Sequence, residues 1–268
     1  MKLAVFGQPI KHSKSPIIHQ AFAKQFDVEI QYLALESTPE DFKEDINRFF
    51  SSGGTGCNVT LPFKESAFDL ADGLSQRAET AGAVNTLYKK DGSLMGDNTD
   101  GIGLVSDLKK KNIQLKGKQI LVLGAGGAAR GAMLPLVEEN PADIMLFNRT
   151  AQRAQVLADE LNTDKIQIVD SATVKDSVPD IIINTTSSSV ENVLPLSLPG
   201  NIKPGAVVYD MFYSKQPTAL QRWANQHSGV KGFDGLGMLI EQAAVSFTIW
   251  TGYSPDTSSL HQLLRDSI

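Results

Sequence analysis

The stretch Leu121-Val122-Leu123-Gly124-Ala125-Gly126-Gly127-Ala128-Ala129-Arg130 reads as a strand end, a glycine turn and a helix start. It fits the pattern G-x-G-x-x-G/A, with Ala129 in the third position. The chemistry such a turn performs is the binding of a dinucleotide. Gly124 permits the tight turn, Gly126 lets backbone approach a pyrophosphate, and Ala129 is small enough for the helix to pack on the strand. The intervening Ala125, Gly127 and Ala128 line the same anion-facing helix end. The letters alone also describe an ordinary glycine turn, so the flanking strand and helix are what give the reading its weight.

The following strand decides which dinucleotide fits. It ends Met145-Leu146-Phe147-Asn148-Arg149-Thr150, where NAD enzymes place a ribose-binding carboxylate about 20 residues beyond the glycines. No carboxylate stands there. Asn148 and Thr150 can hydrogen-bond a phosphate, Arg149 can pair with it, and Arg153 follows one helical turn later. A 2′-phosphate is repelled by Asp or Glu and attracted by this set, so the expected cofactor is NADP. The same residues also fit a solvated helix start with surface arginines.

Elements able to hold these residues alternate along the chain. Leu3–Phe6, Gln31–Leu35 and Cys57–Thr60 read as strands. A helix is expected from Pro16 with Ser15 as its N-cap, then Pro39–Phe50 and Phe63–Leu70 as helical segments. Thr86–Met95 reads as a hairpin turning at Asp91-Gly92. After a helix over Asp100–Lys111, a new series begins: strand Gln119–Leu123, helix Ala128–Glu138, strand Ile144–Phe147, helix Ala151–Leu161. Strands follow at Ile166–Val169, Ile181–Thr185 and Val207–Met211, and helices at Met238–Thr251 and Ser258–Arg265. Alternation of this kind implies parallel sheet covered by helices. The expected fold is α/β in two domains: an N-terminal α/β substrate domain and a Rossmann-type doubly wound NADP domain. The C-terminal helices are expected to pack back on the first. The expected bounds are 1–101 with 238–268 for the substrate domain and 102–237 for the NADP domain.

The bulk numbers narrow the classes. With 25 basic and 30 acidic residues the net charge is −5, which leaves no broad basic surface for nucleic acid or anionic membrane. Cys57 is the single cysteine, so no internal disulfide forms, and it is read as a small strand residue. His12, His19, His227 and His261 are scattered without ligand spacing, and no metal is expected. No apolar run approaches the ~20 residues that span a bilayer, and the N-terminus lacks a signal-peptide core. The expected address is the cytoplasm, where the sequons at Asn58, Asn148 and Asn184 call for an explanation other than glycosylation.

Further clusters complete the pattern: His12-Ser13-Lys14-Ser15-Pro16, Asn58-Val59-Thr60-Leu61-Pro62-Phe63-Lys64, Ala81-Gly82-Ala83-Val84-Asn85-Thr86 and Asp97-Asn98-Thr99-Asp100-Gly101. Asp234-Gly235-Leu236-Gly237-Met238-Leu239 and Gln242-Ala243-Ala244 stand near the end. Together with the glycine turn and Asn148–Thr150, these closely resemble the shikimate dehydrogenase family from Phe6 to about Trp250. The resemblance implies reversible NADPH-dependent reduction of 3-dehydroshikimate to shikimate, in the biosynthesis of aromatic amino acids through chorismate, by a monomer or homodimer. It implies that Ser13 and Ser15 hold the substrate carboxylate. It further implies that Asn58, Thr60, Asn85, Asp100 and Gln242 hold ring hydroxyls, and that Lys64 is the catalytic acid/base with Asp100 beside it. Tyr213 is implied to lie near the substrate, and Thr186, Met211 and Gly235 to border the nicotinamide. Two departures stand out: Ser189 replaces a glycine common in the family, and Tyr213–Thr218 follows the family run Tyr-x-Pro-x-x-Thr only loosely.

The residue types suit these roles. Hydroxyls at a helix start donate to a carboxylate, although Ser15 also reads as a plain N-cap and Ser13 as a turn residue. Amides and Thr both donate and accept, as a polyol ring requires, although turn or surface amides look the same. An ammonium can deliver the proton that accompanies hydride transfer to a ketone, although Lys64 also fits a surface helix start and Asp100 an N-cap. A quinate/shikimate dehydrogenase of relaxed specificity is the close alternative, but members of that kind tend to carry an acidic residue near the ribose. A non-catalytic sensor of the same fold has no need of a proton donor.

Overall fold

Two β-sheets covered by helices account for the apolar alternation, and the computed structural model describes residues 1–267. Ile268, within the expected C-terminal segment, lies outside the described residues. The chain divides into two compact units, Met1–Gly103 with Leu239–Ser267, and Leu104–Met238.

The first unit runs β1 (Lys2–Gly7), α1 (Ser15–Gln25), β2 (Gln31–Glu36), α2 (Phe42–Ser51), β3 (Gly56–Val59), α3 (Lys64–Leu70), β4 (Gly73–Leu74), α4 (Gln76–Ala81), β5 (Thr86–Lys90) and β6 (Ser93–Asp97). Its sheet has the order β2-β1-β3-β5-β6-β4. β1 is parallel to β2 and β3, whereas β5 is antiparallel to both β3 and β6. The β5–β6 hairpin turns at Asp91 and Gly92, both at positive φ (51° and 85°), as an Asp-Gly turn requires. Helix α2 buries Phe42, Ile46 and Phe49 on one stripe. Phe63 stacks on Phe42 with ring centroids 4.6 Å apart. Burying such a ring contributes about 2–3 kcal/mol, and this one pins the residue immediately before Lys64.

The second unit continues α5 (Asp100–Lys110) from Leu104 onward. It then runs β7 (Gln119–Leu123), α6 (Gly127–Glu138), β8 (Asp143–Phe147), α7 (Ala151–Leu161), β9 (Ile166–Val169), α8 (Ser171–Asp176), β10 (Ile181–Asn184), β11 (Val207–Asp210), α9 (Ala219–Ala224) and β12 (Lys231–Phe233). The order β12-β11-β10-β7-β8-β9 is parallel throughout. Strand order reverses between β7 and β10, and in such sheets the ligand crevice opens at the carboxyl ends beside that reversal.

Two final helices are α10 (Leu236–Thr251) and α11 (Leu260–Ser267). From Leu239 onward they belong to the first unit, so the expected return of the C-terminal helices is realised. Phe247 packs on Phe22 of α1 at 5.7 Å. Trp250 crosses Gly56 so closely that a Cβ there would lie 2.3 Å from its Nε1.

Several expectations need correction. Ser15 is the first helical residue of α1 rather than its N-cap, which is Lys14 without a side-chain cap. The Ser13 hydroxyl accepts the Ser15 N–H instead, at 3.3 Å. Asp100 likewise opens α5, but its carboxylate points to other side chains. The short elements α4, α8, α9, β4 and β12 had no periodic signal. The three helices among them are set by their caps, Ser75, Asp170 and the Thr218/Gln221 capping box.

Candidate active site

In the first unit, β3, β5 and the starts of α3 and α5 bring polar residues against α10. Lys64 Nζ donates to Asp100 Oδ2 at 2.6 Å, with side-chain exposures of 28% and 13%. Asn85 Nδ2 donates to Asp100 Oδ1 at 2.8 Å, while Asn85 Oδ1 accepts from the Thr99 backbone N–H at 2.9 Å. A backbone N–H can only donate, so the sense of the Asn85 amide is fixed. Asp100 therefore receives an ammonium on one oxygen and an amide on the other. Upstream, Arg77 grips Asp97 with two nitrogens, at 2.6 and 3.2 Å, and so anchors the strand end that leads to Asp100.

The rest of the network radiates from buried hydroxyls. Gln242 Oε1 accepts from Thr99 Oγ1 at 3.3 Å, and Gln242 Nε2 donates to the Leu239 carbonyl. Asn58 Nδ2 donates to Ser246 Oγ at 3.1 Å and to the Asn85 carbonyl at 3.2 Å. Ser246 Oγ also lies 2.8 Å from Thr86 Oγ1. Thr86, Thr99 and Ser246 were not singled out from sequence. The two threonines adjoin named residues, and Ser246 follows Gln242 by one helical turn, the spacing that puts it on the same face. Among the expected residues, Asn58, Asn85, Asp100, Gln242 and Lys64 come together in this way. Ser13 and Ser15 form a second group at the start of α1, where Ser15 lies beside the Tyr32 phenol. Thr60 is half-buried, its backbone N–H bonded to Phe6.

The second unit carries the remaining expected residues. Gly124 has φ +110°, and a Cβ there would stand 2.5 Å from Thr185 Oγ1, so both conformation and space demand glycine. Gly126 and Gly127 face open space, whereas Ala129 is fully buried under the turn. Asn148 Oδ1 accepts from the Ala125 N–H at 3.1 Å, and its Nδ2 donates to the Thr150 carbonyl at 2.8 Å. Asn148 thus braces the glycine turn against the start of α7. Arg149, Thr150 and Arg153 stand beside it, Thr150 and Arg153 exposed. Ala125, Arg130, Gln152, Arg153 and Val156 line a shallow depression there, and Arg130 pairs with Glu160 at 2.6 Å.

Thr186 caps a short turn over Ser187–Ser189. Ser189, in place of glycine, donates to the buried Asp210 carboxylate at 2.5 Å and accepts from Asn184. Burial pushes the Asp210 carboxyl up, against the pull of these donors. Gly235 packs so tightly that a Cβ would lie 2.1 Å from the Met211 carbonyl oxygen. Tyr213 is half-buried in this unit, its phenol pushed up by burial and by Asp234.

A doubly wound parallel sheet with an open glycine turn at its strand-order reversal, in one chain with a unit holding a fixed Lys–Asp pair among amides, defines a two-domain oxidoreductase of the dinucleotide-binding class. Comparison with known proteins is more specific. A family model for the shikimate dehydrogenase substrate binding domain matches residues 5–87, one for shikimate / quinate 5-dehydrogenase matches 107–197, and one for the shikimate 5′-dehydrogenase C-terminal domain matches 235–265. A shikimate dehydrogenase (NADP(+)) of Aeromonas salmonicida is 48% identical over 265 residues, covering 98% of this chain and 95% of that protein. The crystal structure of an Ael1 enzyme from Pseudomonas putida superposes with a TM-score of 0.93 at 38% identity, covering 98% and 97% of the two chains. Shikimate 5-dehydrogenase from Thermus thermophilus, in complex with NADP(H) and shikimate, gives 0.89 at 33% identity, covering 100% of both chains. The chain belongs to the shikimate dehydrogenase family.

Among the described residues, no group of three or more His, Cys, Asp and Glu is placed to hold a metal ion. None of their helices is long and apolar enough to cross a membrane.

Proposed function

We propose that this protein catalyses the reversible NADPH-dependent reduction of 3-dehydroshikimate to shikimate in the cytoplasm, as a step in the formation of aromatic amino acids. The observation that carries this reading is the 2.6 Å Lys64–Asp100 pair, set among amides whose directions are fixed, in a chain that matches the family along its length. The substrate is assigned to residues 1–101 with 238–268, and NADP to residues 102–237.

Ser13 and Ser15 hold the substrate carboxylate. Asn58, Thr60, Asn85, Asp100 and Gln242 hold its hydroxyls, and Tyr213 is a further substrate contact. Lys64 delivers a proton to the carbonyl oxygen, and Asp100 holds the ammonium in the direction of delivery. NADPH, when bound, supplies the hydride to the carbonyl carbon, so that one hydride and one proton convert ketone to secondary alcohol. The residues present fit that cofactor. Gly124 to Ala128 leave backbone open to a pyrophosphate. Asn148, Arg149, Thr150 and Arg153 surround the place of a 2′-phosphate without a carboxylate to repel it. Thr186, Met211 and Gly235 border the nicotinamide.

The test is the absorbance of NADPH formed from shikimate or quinate, with NADP or NAD supplied. Turnover of shikimate with NADP is expected. Comparable turnover of quinate or with NAD would assign the relaxed specificity instead, and binding without turnover would leave a sensor.

A further inference from the structure

Asn58 is tied down from two sides. Its Nδ2 lies 3.2 Å from the Asn85 carbonyl, 3.2 Å from Thr86 Oγ1 and 3.1 Å from Ser246 Oγ. A carbonyl can only accept, so the nitrogen must face it, and both amide hydrogens are spent there. The amide oxygen therefore faces Tyr32, whose phenol donates to it at 2.7 Å. One lone pair of Asn58 Oδ1 remains, and only a donor can use it.

The phenol itself has little freedom. Its ring is stacked on His19 with centroids 4.5 Å apart and planes 8° from parallel, and it tilts against Trp250 at 6.3 Å. Tyr32 is 6% exposed and His19 is wholly buried, with neither imidazole nitrogen hydrogen-bonded. Burial pushes the Tyr32 hydroxyl well above its ordinary pKa, which keeps its proton in place. Ser15 lies against the same phenol oxygen, so Tyr32 stands between a residue assigned to the substrate carboxylate and one assigned to a ring hydroxyl.

We infer that Tyr32 is a substrate-positioning residue: it locks the Asn58 amide so that Oδ1 faces the ring-binding site as an acceptor for a substrate O–H. This rests on the function proposed above and adds to it a residue and a direction. A ring position read by Asn58 must carry a hydroxyl that donates; a carbonyl or an ether oxygen at that position gains nothing.

Tyr32→Phe removes one oxygen and keeps the ring. A hydrogen bond of this kind is worth about 1–1.5 kcal/mol, or roughly tenfold in affinity. The expected result is a KM for shikimate raised about tenfold, with kcat and the KM for NADP changed by less than about twofold. In an Asn58→Ala background the same substitution should change the KM for shikimate by less than about twofold, because the group it acts through is gone. An unchanged KM for shikimate in Tyr32→Phe overturns the inference. So does a full Tyr32→Phe effect that persists without Asn58, or a loss of kcat and thermal stability with both KM values intact, which marks a merely structural role. The unsubstituted enzyme is assayed first: if it does not turn over shikimate, the proposed function fails and takes this inference with it.

Discussion

Replacing His19 with Phe measures how much of the acid sensitivity of the first unit comes from one ring. The imidazole is wholly buried among Phe22, Tyr32, Phe247 and Trp250. Burial penalises the cation and holds its pKa down at about 3, against 6.5 for an ordinary histidine, with the neighbouring Asn58 amide pulling the other way. The sign follows from which state takes up the proton first. The unfolded chain protonates near pH 6.5 while the fold stays neutral, so stability is complete above that pH and is lost as pH falls toward 3. The slope is about 1.4 kcal/mol per pH unit, which amounts to about 2 kcal/mol at pH 5, a sizeable part of the ~5–15 kcal/mol that domains possess. Tyr32 and Cys57, the titratable groups nearby, are pushed upward by burial and stay neutral in this range. Asp210 is raised by burial, Asp170 is held low by its donors, and Asp180 is held low by its donors against burial. They are common to both proteins and cancel in the difference. The assay is urea unfolding followed through Trp250 in a Trp223→Phe background, at pH 8, 7, 6 and 5. The stability of His19→Phe relative to the parent should be flat above pH 7 and rise by about 2 kcal/mol at pH 5. A difference constant within about 0.5 kcal/mol over the whole range would refute the buried neutral histidine.

Other consequences follow from the same geometry. Lys64→Ala and Asp100→Asn should each lower kcat by about 100-fold or more, the usual range for acid–base groups; near-normal turnover in either removes that residue from the mechanism. Arg149→Asp should lower kcat/KM with NADP by at least about tenfold while sparing NAD, because a charge-assisted contact with a 2′-phosphate becomes a repulsion; an unchanged NADP/NAD ratio would place the phosphate elsewhere. Gly124→Ala should lower stability by about 1–3 kcal/mol and weaken NADP binding, since a Cβ at φ +110° meets Thr185; an unaltered melting temperature and an unaltered NADP titration together would contradict it.

Much of this molecule is legible from its letters where the physics is local. The β7 to α6 passage announces itself through Gly124, Gly126 and Ala129, and the doubly wound order then follows from alternation. The Asp91-Gly92 hairpin and the long helix α10 are equally local. Helices of six residues, such as α8, and strands of two or three, such as β12, are too short for a hydrophobic period to declare them. In the site, motif clusters identified the amides but not their directions, because each direction is set by a partner far along the chain. Tyr32 is 26 residues from Asn58, and as a tyrosine in an apolar strand it carries no sign of its task. The sequon asparagines show the same limit. Asn58 and Asn184 are 6% and 0% exposed, and these two and Asn148 all serve as braces between segments.

The choice of side chain at position 85 shows why amides dominate this site. Asn85 gives its hydrogens to Asp100 and Thr99 and takes others from the Thr99 N–H and the Thr86 hydroxyl. A carboxylate in its place would set like charges at the 2.8 Å now spanned by a hydrogen bond to Asp100, and burial would magnify the repulsion. A threonine would reach one neighbour and leave the other unpaired, at a cost of about 1–3 kcal/mol. Only a group that donates on one side and accepts on the other joins an obligate donor, the Thr99 N–H, to an obligate acceptor, the Asp100 carboxylate. Because each direction is dictated by such a one-way partner, Asp100 is aimed at Lys64 before any substrate arrives. An ammonium held in that way has little reorganisation left to undergo when a negative charge develops on a carbonyl oxygen, which is the condition under which a single proton donor is most effective.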